Sequence, residues 1–321
     1  MRAFPPRRRG VLIPLGDRRT AAAGVTLYTP SKRWVVLAQR VAFAVVRLGG
    51  ARLLPGRTEH WNPPCPPAQW KALVAQWEEC LGPLTGFATY HRRQSARTGL
   101  TLVVTRDGEA VAIVKIRDEE GPLAMEQAAL SVVGSGSPRQ FRVPHPLGAG
   151  RVDGLVWAAQ QCVFDRPHSA VLDMPEAFFV ELSTLLRPVF ASQDSPAPTD
   201  EVRDTVCEPS HGDLTPWNLR RDRHGAVWLF DWEDVELATV GSDRTYFAVT
   251  ARTLVDRLMP SDLPGPAVTR WRRVLLERLA AAPEDAALAE RALILLDAAD
   301  AARDGVRPSN QEAAQPRWDD G

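Results

Sequence analysis

Lysine is nearly absent from this chain of 321 residues, which has three lysines against 36 arginines. Histidine and asparagine are also scarce, with six and three copies. Long apolar runs are missing as well: residues 34–54 come closest, but Arg40, Arg47 and Arg52 interrupt them. That pattern predicts an amphipathic helix rather than a membrane span. The N-terminal arginines are not followed by an apolar run long enough for a secretory signal.

The charge balance and the cysteine spacing argue against nucleic-acid binding, membrane binding and cysteine metal sites. Thirty-nine basic residues match 39 acidic residues, so the formal net charge is zero. This gives no general electrostatic reason to expect nucleic-acid or membrane binding. The four cysteines are far apart and lack the paired spacing of metal sites. They are most simply reduced thiols, which predicts a cytoplasmic protein.

The scarce residue types meet in one segment. His211, Gly212 and Asp213 are followed by Asn218, and Asp231 ends the apolar run 227–230. A glycine-containing turn at 221–225 predicts a hairpin with Asn218 and Asp231 near its open end. Facing residues of such a pair lie about 4.5–5.5 Å apart at their Cβ atoms.

An amide oxygen and a carboxylate at that distance can share a divalent ion, and Mg²⁺ prefers such oxygen ligands. Asp213 would lie on the loop that enters the site, where a carboxylate can orient an acceptor hydroxyl. The plain alternative is a polar surface loop in which Asp213 caps a turn. A phosphotransferase site is the favoured interpretation of this segment.

A second cluster lies upstream, where Lys115 lies on the apolar strand 109–116. A lysine on a buried strand needs an anionic partner, and Glu126 lies in the helix-forming segment 124–130. Kinases use such a pair to hold nucleotide phosphates. The alternative is a strand-edge lysine whose ammonium reaches solvent.

Together these segments resemble the aminoglycoside phosphotransferase and choline kinase-like family. The resemblance implies that Asp213 is the catalytic base, Asn218 a magnesium ligand and Asp231 the principal metal ligand. It implies loop-organising roles for His211 and for Asp243, which follows Gly241. The glycine-rich phosphate loop of protein kinases is not present, and Ser95, Thr98 and the amides near Gly99 are candidate phosphate contacts.

The implied fold is bilobal, α+β and protein-kinase-like, with a small antiparallel-sheet lobe and a larger, mostly helical lobe. We expect an N-terminal accessory segment at 1–80, a small nucleotide-binding lobe at 81–165, a large catalytic lobe at 166–306 and a disordered tail at 307–321. Within the first segment we predict a strand at 24–28 and helices at 34–48 and 68–80. Adenine is expected to meet hinge backbone at 158–160.

The sequence therefore predicts a kinase that transfers the terminal phosphate of ATP or GTP, with Mg²⁺, to a hydroxyl of a small molecule. It gives no acceptor, and sugars, amino alcohols and other metabolites stay open. One alternative is a nucleotide-binding regulator or scaffold, a pseudokinase, that uses residues 1–80 to engage a protein partner. A metal-dependent hydrolase built on His211 and Asp213 ranks last, because too few clustered ligands are present.

Overall fold

The computed structural model describes residues 1–5, 10–30, 33–91, 99–164, 166–191, 206–254, 259–260, 262–281 and 286–303. These residues form a lobe built on an antiparallel sheet and a mostly helical lobe. The predicted bilobal α+β architecture is confirmed. Among the helices described, none is long and apolar enough to cross a membrane.

The sheet has seven antiparallel strands in the order β1-β2-β3-β4-β5-β7-β6. Asp107 and Gly108 both have positive φ, 51° and 77°, at the tight turn between β4 and β5. This is the backbone that a two-residue hairpin requires, and it fixes the register of the strand carrying Lys115. The strands are β1 (Arg2–Phe4), β2 (Val11–Ile13), β3 (Gly86–His91), β4 (Leu100–Arg106), β5 (Glu109–Arg117), β6 (Pro146–Val152) and β7 (Leu155–Gln161).

Four helices cover the two faces of this sheet: α1 (Arg18–Thr26), α2 (Arg33–Gly49), α3 (Pro67–Leu81) and α4 (Glu120–Ser135). Helix α1 packs with Val103 of β4, whereas Leu73 and Trp77 of α3 pack with Leu102 on the other face. The two helices predicted at 34–48 and 68–80 are confirmed.

The strand predicted at 24–28 is wrong, because Gly24 and Val25 lie in α1. A Cβ at Gly24 would run into the side chains of Ile13 and Ala88. The glycine therefore lets the helix lie directly on the sheet, and tertiary contact outweighs its low helix propensity.

Within the described residues, the second lobe contains four α-helices and five short strands. Its main core gathers large side chains from α5 and from the segment after the hairpin, including Phe178, Leu182 and Trp232. The helices are α5 (Glu176–Ala191), α6 (Ser242–Arg252), α7 (Gly265–Ala281) and α8 (Ala286–Arg303). The strands are β8 (Ser169–Ala170), β9 (Cys207–Ser210), β10 (Leu219–Arg221), β11 (Val227–Leu229) and β12 (Glu236–Thr239).

The first 80 residues share the sheet with the rest of the small lobe. Strand β2 pairs with β3, with Val11 opposite Tyr90 and Leu12 opposite Thr89. The domain boundaries at residues 80, 165 and 306 stay predictions. The candidate phosphate contacts Ser95 and Thr98, and the tail at 307–321, lie outside the described residues.

Candidate active site

Lys115 is the centre of the buried polar cluster where the two lobes meet. The residue is 5% exposed, and β5 places it between Thr101 of β4 and Ala158 of β7. Its Nζ lies 2.7 Å from Oε1 of Glu126, 2.8 Å from Oδ1 of Asp231 and 2.8 Å from Oε1 of Glu233. The predicted Lys115–Glu126 ion pair is therefore present, and it extends to the segment after β11.

Glu126 reaches this cluster from α4 and is 1% exposed. Its Oε1 also accepts a hydrogen bond from the backbone amide of Trp232, at 3.2 Å. Burial raises the pKa of the Glu126 carboxyl, whereas the ammonium of Lys115 acts in the opposite direction. The carboxylate is thus held between a sheet lysine and a backbone amide of the second lobe.

Arg117 adds a second cation on the same face of β5, two residues beyond Lys115. Its Nε and Nη2 donate to the two carboxylate oxygens of Glu233 at 3.1 and 2.7 Å. Its Nη1 donates to the carbonyls of Leu100 and Ile116. Such a bidentate pair fixes both position and orientation of the carboxylate. Glu233 also contacts Lys115, so the two cations share this carboxylate.

Asp231 leaves the hairpin in a left-handed backbone conformation, with φ 65° and ψ 64°. The register pairs Leu219 with Leu229, and the amide of Phe230 donates to the carbonyl of Asn218 at 2.9 Å. Asp231 therefore lies one residue beyond the position opposite Asn218. A non-glycine residue in this region is uncommon, and such conformations cluster at functional sites.

The loop 211–213 is held by Asp243 at the start of α6. One oxygen of Asp243 accepts from the amide of His211 at 2.7 Å, and the other from the hydroxyl of Ser210 at 2.8 Å. Gly212 has φ 78°, and a Cβ there would collide with the backbone carbonyl of Asp234. The glycine at the centre of the His-Gly-Asp pattern thus has a steric reason, since no residue with a side chain fits there.

His211 is fully buried and braces this loop against the hairpin. Its Nε2 lies 3.0 Å from the carbonyl of Phe230, and its Nδ1 accepts from the amide of Asp213 at 3.4 Å. This pattern assigns the proton to Nε2, which donates to Phe230. Burial lowers the pKa of His211, and the charge of Asp243 opposes that effect only in part.

Asp213 points toward Asn218 and toward α7. The Asn218 amide nitrogen donates to the Asp213 carbonyl and to its Oδ2, both at 3.0 Å. Since both bonds use the nitrogen, the amide oxygen is directed elsewhere. An Arg278 guanidinium nitrogen lies 3.8 Å from Oδ1 of Asp213 and donates to the hydroxyl of Tyr246 at 2.8 Å. Burial raises the pKa of Tyr246, and the negative charge of Asp213 adds to the effect.

Three carboxylates of this site could share a cation. Ligand oxygens of Glu126, Asp231 and Glu233 lie within 4.8 Å of one another. In this arrangement the ammonium of Lys115 contacts all three. Arg117 contacts Glu233 as well. Carboxylate and amide oxygens are the donor set that Mg²⁺ prefers, and Asp231 with Asn218 fits that chemistry.

Sequence reasoning singled out seven residues, and the structure groups them in two linked sets. Lys115, Glu126 and Asp231 form one set, and the second comprises His211, Asp213, Asn218 and Asp243. Three charged contacts were missed: Arg117, Glu233 and Arg278. The strand period of two could have identified Arg117 beside Lys115. Nothing in the local sequence distinguishes Arg278 from the other arginines of α7.

Comparison with known proteins gives a similarity in structure only. No protein-family model matches the chain, and no curated protein matches it. Among solved structures, it is similar to aminoglycoside phosphotransferase APH(4)-Ia, with 13% identity, TM-score 0.45, and coverage of 71% of this chain and 98% of that chain.

Two further solved structures have the same level of similarity. Amicoumacin kinase hAmiN, in complex with AMP-PNP, Ca²⁺ and Ami, is 12% identical, with TM-score 0.42 and coverage of 72% and 95%. A choline/ethanolamine kinase family protein from Mesorhizobium loti is 14% identical, with TM-score 0.39 and coverage of 72% and 94%. These are the kinds of protein that the sequence resembles. With TM-scores below 0.5, the likeness assigns no role to any residue.

Proposed function

We propose that this chain is a small-molecule kinase that transfers the terminal phosphate of ATP or GTP to a hydroxyl group. One observation carries the proposal: Lys115, on the sheet, contacts both Glu126 of α4 and Asp231 of the hairpin. A phosphotransferase needs a cation for the nucleotide phosphates beside a carboxylate for the metal. Here Lys115 would supply the cation, and Asp231, in contact with it, would supply the carboxylate.

In this proposal Lys115 binds the nucleotide phosphates and Glu126 positions it. The ammonium is buried and has carboxylates on several sides, so it is held in one place before any nucleotide arrives. Positioned charge in a site of low solvent access acts more strongly than charge in water. Arg117 supports the arrangement through Glu233, because it fixes the second carboxylate that contacts Lys115.

We assign Asp231 and Asn218 as the residues that would hold Mg²⁺. Mg²⁺ held by these two residues would supply positive charge against the negative charge that develops on the nucleotide phosphates. The proximity of the Glu126, Asp231 and Glu233 oxygens, within 4.8 Å of one another, favours a cation at Asp231. The Asn218 nitrogen is occupied by Asp213, which leaves its oxygen as the donor suited to a metal.

Asp213 is the proposed base that orients the acceptor hydroxyl and accepts its proton. The bond from Asn218 and the support of the loop by Asp243 and His211 fix the direction of the carboxylate. The adjacent Arg278 brings positive charge to the acceptor side. That charge argues against a polycationic acceptor. We place the reaction in the cytoplasm, where ATP is available.

The test is thermal unfolding of the purified chain with Mg·ATP, Mg·GTP, or nucleotide with EDTA. A ligand at a hundred times its dissociation constant adds about 2.7 kcal/mol to the free energy of unfolding. We expect a magnesium-dependent rise in melting temperature that Asp231→Ala removes. Asp173→Ala, a change at an exposed carboxylate before α5, is the matched control and should keep the rise.

If neither Mg·ATP nor Mg·GTP shifts the melting temperature, the proposal is contradicted. An equal shift in Asp231→Ala would contradict the metal assignment alone. Nucleotide binding without turnover of any hydroxyl acceptor would instead favour the regulator or scaffold alternative. The three results are separable because binding and turnover are measured independently.

A further inference from the structure

The outward side of α2 carries a stripe of large apolar side chains. Trp34, Leu37, Val41 and Leu48 are 69%, 62%, 57% and 77% exposed. Their spacings of three, four and seven residues place them on one side of an α-helix. Leu53, 65% exposed, lies against Gly49 at the end of α2 and extends the stripe. We call these five side chains the α2 stripe.

The stripe is not the side by which α2 packs on the protein. Val36 and Val46 are buried on the opposite side, and Gln39 donates to the carbonyl of Val25 in α1 at 2.8 Å. The helix is thus apolar on two sides, of which one is covered by the small lobe. A contiguous apolar surface that is left exposed marks an interaction site.

Arginines border the stripe. Arg40 and Arg47, both exposed, form a row between the stripe and the buried side of α2, as follows from about 100° of turn per residue. Arg18 donates to the carbonyl of Leu48 at 3.2 Å, which places it at the same end of the helix as Arg52. The stripe therefore has positive charge along one side and at its C-terminal end.

Acidic residues are absent from this whole part of the chain. Residues 18–58 contain eight arginines and lysines and no aspartate or glutamate, although the complete chain has a net charge of zero. This segment is therefore strongly basic within a chain whose total charge is zero. The partner of the α2 stripe should then be apolar at its centre and negative at its edge.

We propose that α2 docks on a bilayer surface that contains anionic lipid. The α2 stripe would enter the boundary between headgroups and acyl chains, with Arg18, Arg40, Arg47 and Arg52 at the lipid phosphates. Helices with Trp and Leu on one side and arginines beside them lie in the membrane interface in this way. The helix lies on the surface and does not span the bilayer.

The charges disfavour a second copy of the chain as the occupant. Antiparallel pairing of two α2 helices through the stripe would bring the Arg40–Arg47 row of one copy against the same row of the other. Like charges at that distance are destabilising. An acidic protein helix would satisfy the same charges, and the experiment below separates it from lipid.

The experiment is co-sedimentation of the full chain with vesicles at physiological ionic strength. Vesicles of phosphatidylcholine alone are compared with vesicles of phosphatidylcholine and phosphatidylglycerol. We expect binding to the anionic vesicles only. Arg40→Gln with Arg47→Gln should weaken that binding about thirtyfold, since each arginine near an anionic surface contributes about fivefold.

A second variant tests the apolar part. Leu37→Ser with Val41→Ser should remove most of the binding, whereas Val180→Ser with Ile294→Ser should not. Val180 and Ile294 are 58% and 67% exposed on other helices, so they are matched controls. Unchanged melting temperatures show that all variants fold.

Absence of binding to anionic vesicles would overturn the proposal and leave an acidic protein as the candidate. If the arginine variant and the serine variant both bind anionic vesicles as well as the wild type does, the proposal is overturned too. Concentration-dependent dimerisation that Leu37→Ser with Val41→Ser abolishes, without vesicle binding, would assign the stripe to a second copy. None of these outcomes depends on kinase activity.

Discussion

The carboxylate of Asp213, which we propose as the catalytic base, has a neighbour beside each of its oxygens. Asn218 donates to one carboxylate oxygen and Arg278 lies 3.8 Å from the other. We expect Asp213→Asn to lower turnover by about 10²–10⁴-fold, because it removes the group that accepts a proton while keeping its shape. Nucleotide-induced stabilisation should persist, because Lys115 and Asp231 are unchanged.

The measurement is ADP release with a hydroxyl acceptor, beside the melting temperature with Mg·ATP. Asp173→Asn is the control at an exposed aspartate. Turnover of Asp213→Asn at the unaltered rate would remove Asp213 from the base role. Loss of nucleotide binding in the same variant would indicate that the carboxylate supports the site as a whole.

His211 predicts a pH dependence of stability. Burial holds its folded-state pKa below the ordinary value of 6.5, so the unfolded chain binds the proton first. The stability linked to His211 is complete above about pH 6.5 and is lost as the pH falls from there through the folded-state pKa. His211→Gln, which can still donate to the Phe230 carbonyl, should flatten this part of the profile.

The free energy of unfolding, measured by urea denaturation at pH values on both sides of 6.5, tests this prediction. His224→Gln, at an exposed turn, is the matched control. Buried His168, whose pKa burial lowers in the same direction, keeps part of the slope in every variant. If the free energy of unfolding changes with pH equally in the wild type and in His211→Gln, the pKa of His211 is not lowered by folding.

At the scale of elements, the Arg117–Glu233 pair joins β5 to the short helical turn 232–234. Both residues are buried, at 5% and 9% exposure. Breaking a buried pair by removing one partner costs about 3–5 kcal/mol, since a charge is left in the interior. Because Glu233 keeps its contact with Lys115, we expect Arg117→Met to lower the free energy of unfolding by about 3 kcal/mol, the lower end of this range.

A double-mutant cycle separates the pair from simple packing. Arg117→Met with Glu233→Met should lose less than the sum of the single changes, because no lone charge remains. Glu233 also contacts Lys115, so the double variant should still weaken nucleotide binding. Additive losses, measured by urea denaturation, would mean that the two side chains are not coupled.

Elements with a strong local pattern could be predicted, whereas most contacts between elements far apart in the sequence could not. The hairpin around 221–225 follows from its turn and its apolar strand, and the Lys115–Glu126 pair follows from a buried cation that needs a partner. The helix at Gly24 could not be foreseen, because its reason lies in the approach to Ile13 and Ala88. Arg278 reaches Asp213 only because α7 returns to the loop from far along the chain.

The whole molecule depends on its first 80 residues for both faces of the sheet. Val11 and Ile13 of β2 are fully buried, as are Leu73 and nearly all of Trp77 in α3. The buried guanidinium of Arg220 in β10 donates to the carbonyl of Pro30, and burial lowers the pKa of Arg220 to about 9. The N-terminal segment is therefore in contact with the second lobe as well as with the sheet.

Removal of residues 1–80 tests whether this segment is an accessory. Deletion would expose the core residues of β3, β4 and β5 on both faces, and would leave Arg220 buried without its Pro30 acceptor. Burial of one large apolar side chain contributes about 1.5–3 kcal/mol, whereas a whole domain is stable by only about 5–15 kcal/mol. Several such side chains are lost at once, so the shortened chain should lack a cooperative thermal transition and should not bind Mg·ATP. A cooperative transition with nucleotide binding in the shortened chain would show that residues 81–321 fold alone, and that the first segment is dispensable for the nucleotide site.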